Sequence, residues 1–194
     1  MRLLLTALAV IAFATPLRAD PLDGILIEPE VDAVYSRSMY GSWRDDDGDC
    51  INTRHEVLAA ESLMPPTYSS NGCSVVGGLW FGPFTELTFT NPSDVDIDHL
   101  VALKEAHESG AWAWSTELRR EFANDLLNPG HLIAVDDGTN QSKGARDPAE
   151  WLPPNQDFHC AYVLAWVEVK REWLLSIDPD EEAAIRAVLQ TCPQ

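Results

Sequence analysis

The chain has 194 residues with 31 acidic and 13 basic side chains, a net charge of −18. That length suits one domain with a real core and is too short for two large ones. Such an excess of acid excludes a protein that gathers nucleic acid or membrane by bulk positive charge; chemistry on a polyanion would have to rely on a bound cation and a few local bases.

Met1-Arg2 followed by the apolar run Leu3 to Phe13 and by Leu17-Arg18-Ala19 has the form of a secretory signal peptide, residues 1–19, cleaved near Ala19. The run is short for a membrane span, and no later segment is long and apolar enough for one. Setting aside Arg2 and Arg18 takes the net charge to −20. Export, to a periplasm or outside the cell, favours disulfides among Cys50, Cys73, Cys160 and Cys192. Cys50–Cys73 and Cys160–Cys192 each close a local loop, whereas a Cys₄ zinc site lacks the usual Cys-x-x-Cys spacing.

Residues 20–39 form an acidic, irregular arm, and residues 40–194 a single domain. Arg54 to Leu63 has helical spacing and is ended by Pro65-Pro66. Cys73–Val76, Leu79–Phe81 and Phe84–Thr90 read as short strands broken by glycine and proline. Val95-Asp96-Ile97-Asp98 alternates apolar and acidic, so Asp96 and Asp98 share one strand face. Leu100 to Ser109 predicts a helix. A second is capped by Ser115, with Leu118, Phe122 and Leu126 inward. His131 to Val135 is another strand, and a helix from about Thr139 brings Asn140 and Lys143 to one side. His159 to Leu175 is helical, its apolar stripe including the stem of Lys170. Asp178-Pro179-Asp180-Glu181 opens a last helix with cap, proline and capping-box glutamate.

The chemistry concentrates in Asp96-Ile97-Asp98-His99 and Asn140-Gln141-Ser142-Lys143. Carboxylate and amide oxygens beside an imidazole suit a hard divalent ion with an adjacent general base. A strand ending in Asp-His, a second strand, and a helix bearing Asn and Lys is the layout of a ββα-metal nuclease, and the spacing resembles the HNH endonucleases. His131-Leu132 stands where that family has Asn-Leu; Asn140 follows nine residues on and Lys143 three beyond. Asp49 to Glu56, Phe122 to Asp125 and Gly144 to Pro154 are similar to exported HNH nucleases related to the C-terminal domain of GmrSD-type restriction enzymes, so the resemblance spans roughly residues 40–192.

The resemblance implies an α+β fold with a ββα-metal core, flanking helices, short antiparallel strands and two disulfides. The implied activity is metal-dependent hydrolysis of DNA, with RNA a second candidate substrate, at low sequence preference. His99 would be the general base, and Asp98, Asn140 and Asp96 ligands of a divalent ion, Mg²⁺ ahead of Mn²⁺ or Ca²⁺. Lys143 and Arg146 would contact phosphate, and Arg54 would touch substrate or pair with an acid. His131 would orient the catalytic loop or join the metal site, with Asn124 or Asn128 as substitutes for the missing amide. Carboxylates flanking His99 are expected to push it toward its charged form until a metal offsets them. The alternative is a non-catalytic, metal-stabilised extracellular binding module on the same fold, and a phosphatase is a second rival. Asp45-Asp46-Asp47-Gly48-Asp49 resembles a calcium loop, but an EF-hand register puts Trp43 and Arg54 at ligand positions, favouring a solvated acidic turn. His107 and His159 read as structural, and Trp112, Trp114, Trp151, Trp166 and Trp173 as core.

Overall fold

A computed structural model describes residues 20–193; the signal-peptide expectation lies outside the described residues. It has an α+β architecture of six α-helices and three two-stranded antiparallel sheets. In chain order the elements are α1 (Thr53–Ala60), β1 (Thr67–Tyr68), β2 (Val75–Gly77), β3 (Trp80–Gly82), β4 (Leu87–Phe89), β5 (Val95–His99), α2 (Leu103–Glu108), α3 (Thr116–Ala123), β6 (Leu132–Asp136), α4 (Asp137–Lys143), α5 (His159–Glu172) and α6 (Pro179–Leu189). No helix among the described residues is long and apolar enough to cross a membrane.

The β5–β6 pair organises everything around the site. Its register runs from Val95 opposite Asp136 to His99 opposite Leu132. Alternation sends Val95, Ile97, Leu132 and Ala134 into a small apolar cluster with Val57, Leu58, Val75 and Trp80. Val135 faces the larger cluster, where α5 supplies Tyr162, Val163, Trp166 and Val167. The strand pair is thus a partition between two cores, which fixes its register against slippage.

Local chemistry explains the strand-to-helix turn. Asp136 ends β6 and caps α4, its carboxylate accepting from the Thr139 amide at 2.7 Å. The helix stops at Gly144, whose φ of 61° suits glycine. Ser115 caps α3 as expected, but that helix ends at Ala123, which leaves Leu126 exposed instead of inward. The Asp178 capping box is present on α6.

Both disulfides join the pairs expected from the sequence, Cys50 to Cys73 and Cys160 to Cys192. The first ties the loop before α1 to the turn before β2; the second ties the start of α5 to the turn after α6. Lys170 departs from its expected role, because the ammonium as well as the stem is buried. It donates to Glu105, to Glu181 at 3.0 Å, to Ser109 and to the Ser176 carbonyl. A buried charge needs such pairing to be tolerated.

Candidate active site

The two motifs meet across β5 and α4. Asp96 and Asp98 point from one strand face, and Asn140 and Lys143, three positions apart on α4, face them. Asn140 Nδ2 donates to Asp96 Oδ2 at 3.0 Å. Lys143 Nζ lies 2.9 Å from both oxygens of Asp98 and donates to the His99 carbonyl at 3.0 Å.

Lys143 is fully buried, so its ammonium does not present itself to a phosphate in solution. Its three donors are directed at Asp98 and the end of β5. Asp98 is buried as well, and burial pushes its carboxyl above the usual range while the adjacent ammonium pulls it back.

His99 is held by three neighbours. Its Nε2 lies 2.9 Å from the Ala123 carbonyl at the end of α3. A carbonyl only accepts, so Nε2 carries the hydrogen and the neutral ring keeps its lone pair on Nδ1. No described residue donates to Nδ1, and His99 retains 8 % exposure. Trp43 lies flat against the imidazole, 5.2 Å between ring centroids at 3°. The edge of His131 is the third neighbour, at 5.8 Å and 77°.

The charge state of His99 is the reverse of the expectation. Burial holds it well below the usual imidazole range, and His131 pushes the same way. Alternation places the Asp98 carboxylate on the other strand face, engaged by Lys143, where it does little to charge the ring.

His131 is completely buried, and its Nε2 donates to the Phe122 carbonyl at 2.6 Å. Burial lowers its pKa to about 4. Two imidazoles therefore satisfy successive carbonyls, Phe122 and Ala123, at the C-terminus of α3, where a helix leaves acceptors without partners. The ring faces Phe122 and Trp173. Asn124 is spent on the backbone of Arg44 and Ser42, and Asn128 on Glu172 and Gly130, so neither acts as a spare amide here.

Arg54 is half-buried and pairs with no acid; its Nη2 donates to the carbonyls of Pro92 and Val95, clamping the entry to β5. Arg146 is exposed, and its Nε donates to the Lys143 carbonyl at 3.1 Å. His107 pairs with Tyr40 at 3.2 Å and His159 with the Pro153 carbonyl at 2.8 Å, both structural roles. Trp166 is fully buried in the core, whereas Trp112 is 48 % exposed and departs from the core reading.

Whether these residues suit a hard cation turns on their free acceptors. Asp98 Oδ2 is buried without a hydrogen bond, despite its closeness to Nζ, and Asn140 Oδ1 has no donor among the described residues. A carboxylate oxygen on β5 and an amide oxygen on α4 are the donor types that an oxygen-seeking divalent ion takes. Asp96 is partly occupied by Asn140, the relation of an orienting partner to a ligand. Two other carboxylate groups, Asp45/Asp47/Asp49 and Glu30/Asp147/Asp178, lie close enough together for an ion but contain none of these residues.

With this geometry in place, comparison with known proteins decides the family. The family described as GmrSD restriction endonucleases, C-terminal domain, matches residues 66–188. The chain belongs to that family. The matched span holds β5, β6 and α4 entire. An uncharacterized secreted protein of Arthroderma benhamiae is 38 % identical over 200 residues, covering 97 % of this chain and 96 % of that protein. No solved structure matches. The family points to nuclease chemistry of the HNH kind, which generally uses divalent metals and acts on nucleic acid.

Trp43 sits outside both motifs, and its signal was only that of one more aromatic in Tyr35 to Trp43. Contact with His99 depends on a loop held by Asn124, which sequence spacing does not reveal.

Proposed function

We propose that this is an exported, metal-dependent endonuclease that hydrolyses DNA phosphodiesters, with RNA as a second candidate substrate. The observation that carries this is the contact of His99 Nε2 with the Ala123 carbonyl, which commits Nε2–H and leaves the Nδ1 lone pair open, one residue from Asp98.

His99 Nδ1 takes the proton from the attacking water, a contribution of roughly 10²–10⁴-fold for a positioned base. The Ala123 carbonyl accepts from the ring throughout, and so stabilises the imidazolium as it forms. Asp98 Oδ2 and Asn140 Oδ1 would hold the ion, Mg²⁺ by the chemistry of an all-oxygen set, with Mn²⁺ or Ca²⁺ as alternatives. When bound, a divalent ion neutralises charge on the scissile phosphate and on the leaving oxygen. Asp96 orients the Asn140 amide. Lys143 keeps Asp98 in place and charged, so it is a positioning residue in this scheme. His131 fixes the end of α3 from which Ala123 holds the base. Arg146 offers its unused guanidinium nitrogens to substrate phosphate.

Secretion is supported by the disulfides and by the relative described as secreted. The reading separates from a phosphatase by substrate: bis(4-nitrophenyl) phosphate should be hydrolysed with Mg²⁺ or Mn²⁺, and 4-nitrophenyl phosphate much more slowly. Faster turnover of the monoester would replace the nuclease reading with the phosphatase one.

A further inference from the structure

The acidity of the chain makes the fate of each cation informative. Beyond residue 19 there are eleven lysines and arginines, the 13 of the whole chain less Arg2 and Arg18. Seven of them (Arg44, Lys104, Arg120, Lys143, Lys170, Arg171 and Arg186) are ion-paired with carboxylates. Arg54 and Arg119 are half-buried, each donating to two backbone carbonyls. Only Arg37 and Arg146, among the described residues, are exposed with no carboxylate partner, each using one nitrogen on a single backbone carbonyl.

Both border His99. Arg37 Nη1 donates to the Gly41 carbonyl at 2.8 Å, two residues before Trp43, the residue lying on the imidazole. The same loop is pinned by Asn124, which holds the Arg44 amide at 2.9 Å and the Ser42 carbonyl, and Asn124 follows directly on Ala123, the acceptor of the base. Arg146 lies just beyond α4, its Nε on the carbonyl of Lys143, the residue whose Nζ donates to the His99 carbonyl.

We propose that Arg37 is a substrate-binding residue that contacts a backbone phosphate of the nucleic acid, on the side of His99 covered by Trp43 and in addition to Arg146. A guanidinium with one nitrogen fixed and its other donors free is oriented for a phosphate oxygen at little entropic cost. On a surface with so many carboxylates, leaving only these two groups unneutralised among the described residues confines polyanion attraction to the segments that lead to His99. This inference rests on the nuclease reading for the identity of its ligand.

The test uses the mature protein carrying His99→Ala, titrated onto a fluorescent DNA duplex over a series of NaCl concentrations. Adding Arg37→Gln should weaken binding about tenfold at low salt, the loss of one charged hydrogen-bonded contact. It should also make the slope of log affinity against log salt shallower by about 1. Arg37→Lys should keep the slope and recover part of the affinity. Lys104→Gln, at a cation already paired with Glu108, should change neither quantity. Wild-type affinity and slope in Arg37→Gln would overturn the proposal, as would an equal loss in Lys104→Gln, which would mean bulk charge alone is at work. The parallel readout is cutting of the same duplex by the His99-intact protein with Mg²⁺. Cutting with an indifferent Arg37→Gln sinks Arg37 alone. Arg37-dependent binding without cutting sinks the catalytic reading and supports the binding residue.

Discussion

Replacing Lys143 by Met tests the most heavily committed charge in the site. Its Nζ is fully buried, with Asp98 oxygens at 2.9 Å and the His99 carbonyl at 3.0 Å. The substitution keeps most of the side-chain volume and leaves the Asp98 carboxylate buried without a counter-charge. Breaking a buried pair in this one-sided way costs about 3–5 kcal/mol. For a domain of this size each kcal/mol lowers Tm by roughly 2–4 °C, so a fall of about 6–20 °C is expected in chelator. Removing both charges in Asp98→Leu/Lys143→Met should recover most of the loss, because the penalty belongs to the orphaned charge. Divalent ion should raise the Tm of Lys143→Met more than that of the wild type, since a bound cation would then be the sole partner of Asp98. Thermal unfolding by circular dichroism, with Mg²⁺ or EDTA, reads all three. A single variant that melts within about 2 °C of wild type in EDTA would refute this account of the pair.

Trp43→Ala should lower kcat about tenfold or more with little change in KM, because the lost contact orients His99, and Trp43→Phe should restore most of it; a pure KM effect would move Trp43 to substrate binding. The pH dependence of stability has two opposing limbs. Burial and the neighbouring Glu105 hold Glu30 up at about 8, and burial holds Glu181 at about 7. Raised carboxyls bind protons more tightly in the folded state, so stability should rise as pH falls from about 8.5 to about 6.5. Below that the depressed histidines, His131 at about 4, must charge on unfolding, and stability should fall again. Tm measured across this range should peak near pH 6–7 and the alkaline limb should flatten in Glu30→Gln; a Tm climbing steadily to pH 8.5 would contradict it. Reduction of the disulfides, which span 23 and 32 residues, should cost about 3 kcal/mol each by loop entropy, visible as a lowered urea midpoint in reductant.

Much of this was legible in the sequence because it depends on local rules. Alternation in Val95 to Asp98 and the spacing of Asn140 and Lys143 place four side chains on facing surfaces, and the structure pairs them. Local loop closure after export gave both disulfides. The exceptions are residues whose roles depend on distant packing. Lys143 sits one turn after Asn140 and reads as a surface cation; only the closeness of α4 to β5 buries it. Arg54 on a helix start reads as a substrate contact or the partner of an acid, yet the carbonyls of Pro92 and Val95 accept from its Nη2. The charge state of His99 departs from the expectation because adjacency in sequence is not adjacency in space on a strand. His131, standing where the family pattern has asparagine, makes its one hydrogen bond to the Phe122 carbonyl, a partner nine residues back that no motif encodes.

The central claim is that Nδ1 of His99 is the base of a metal-dependent phosphodiesterase. Supercoiled plasmid incubated with the purified mature protein tests it most directly, with Mg²⁺, Mn²⁺ or Ca²⁺, with EDTA, and with His99→Ala under the same conditions. Nicking and linearisation that require the divalent ion and fall by roughly 10²–10⁴-fold in a folded His99→Ala variant are the predicted result. Cutting that persists unchanged in His99→Ala, or an intact plasmid with every metal, would contradict it.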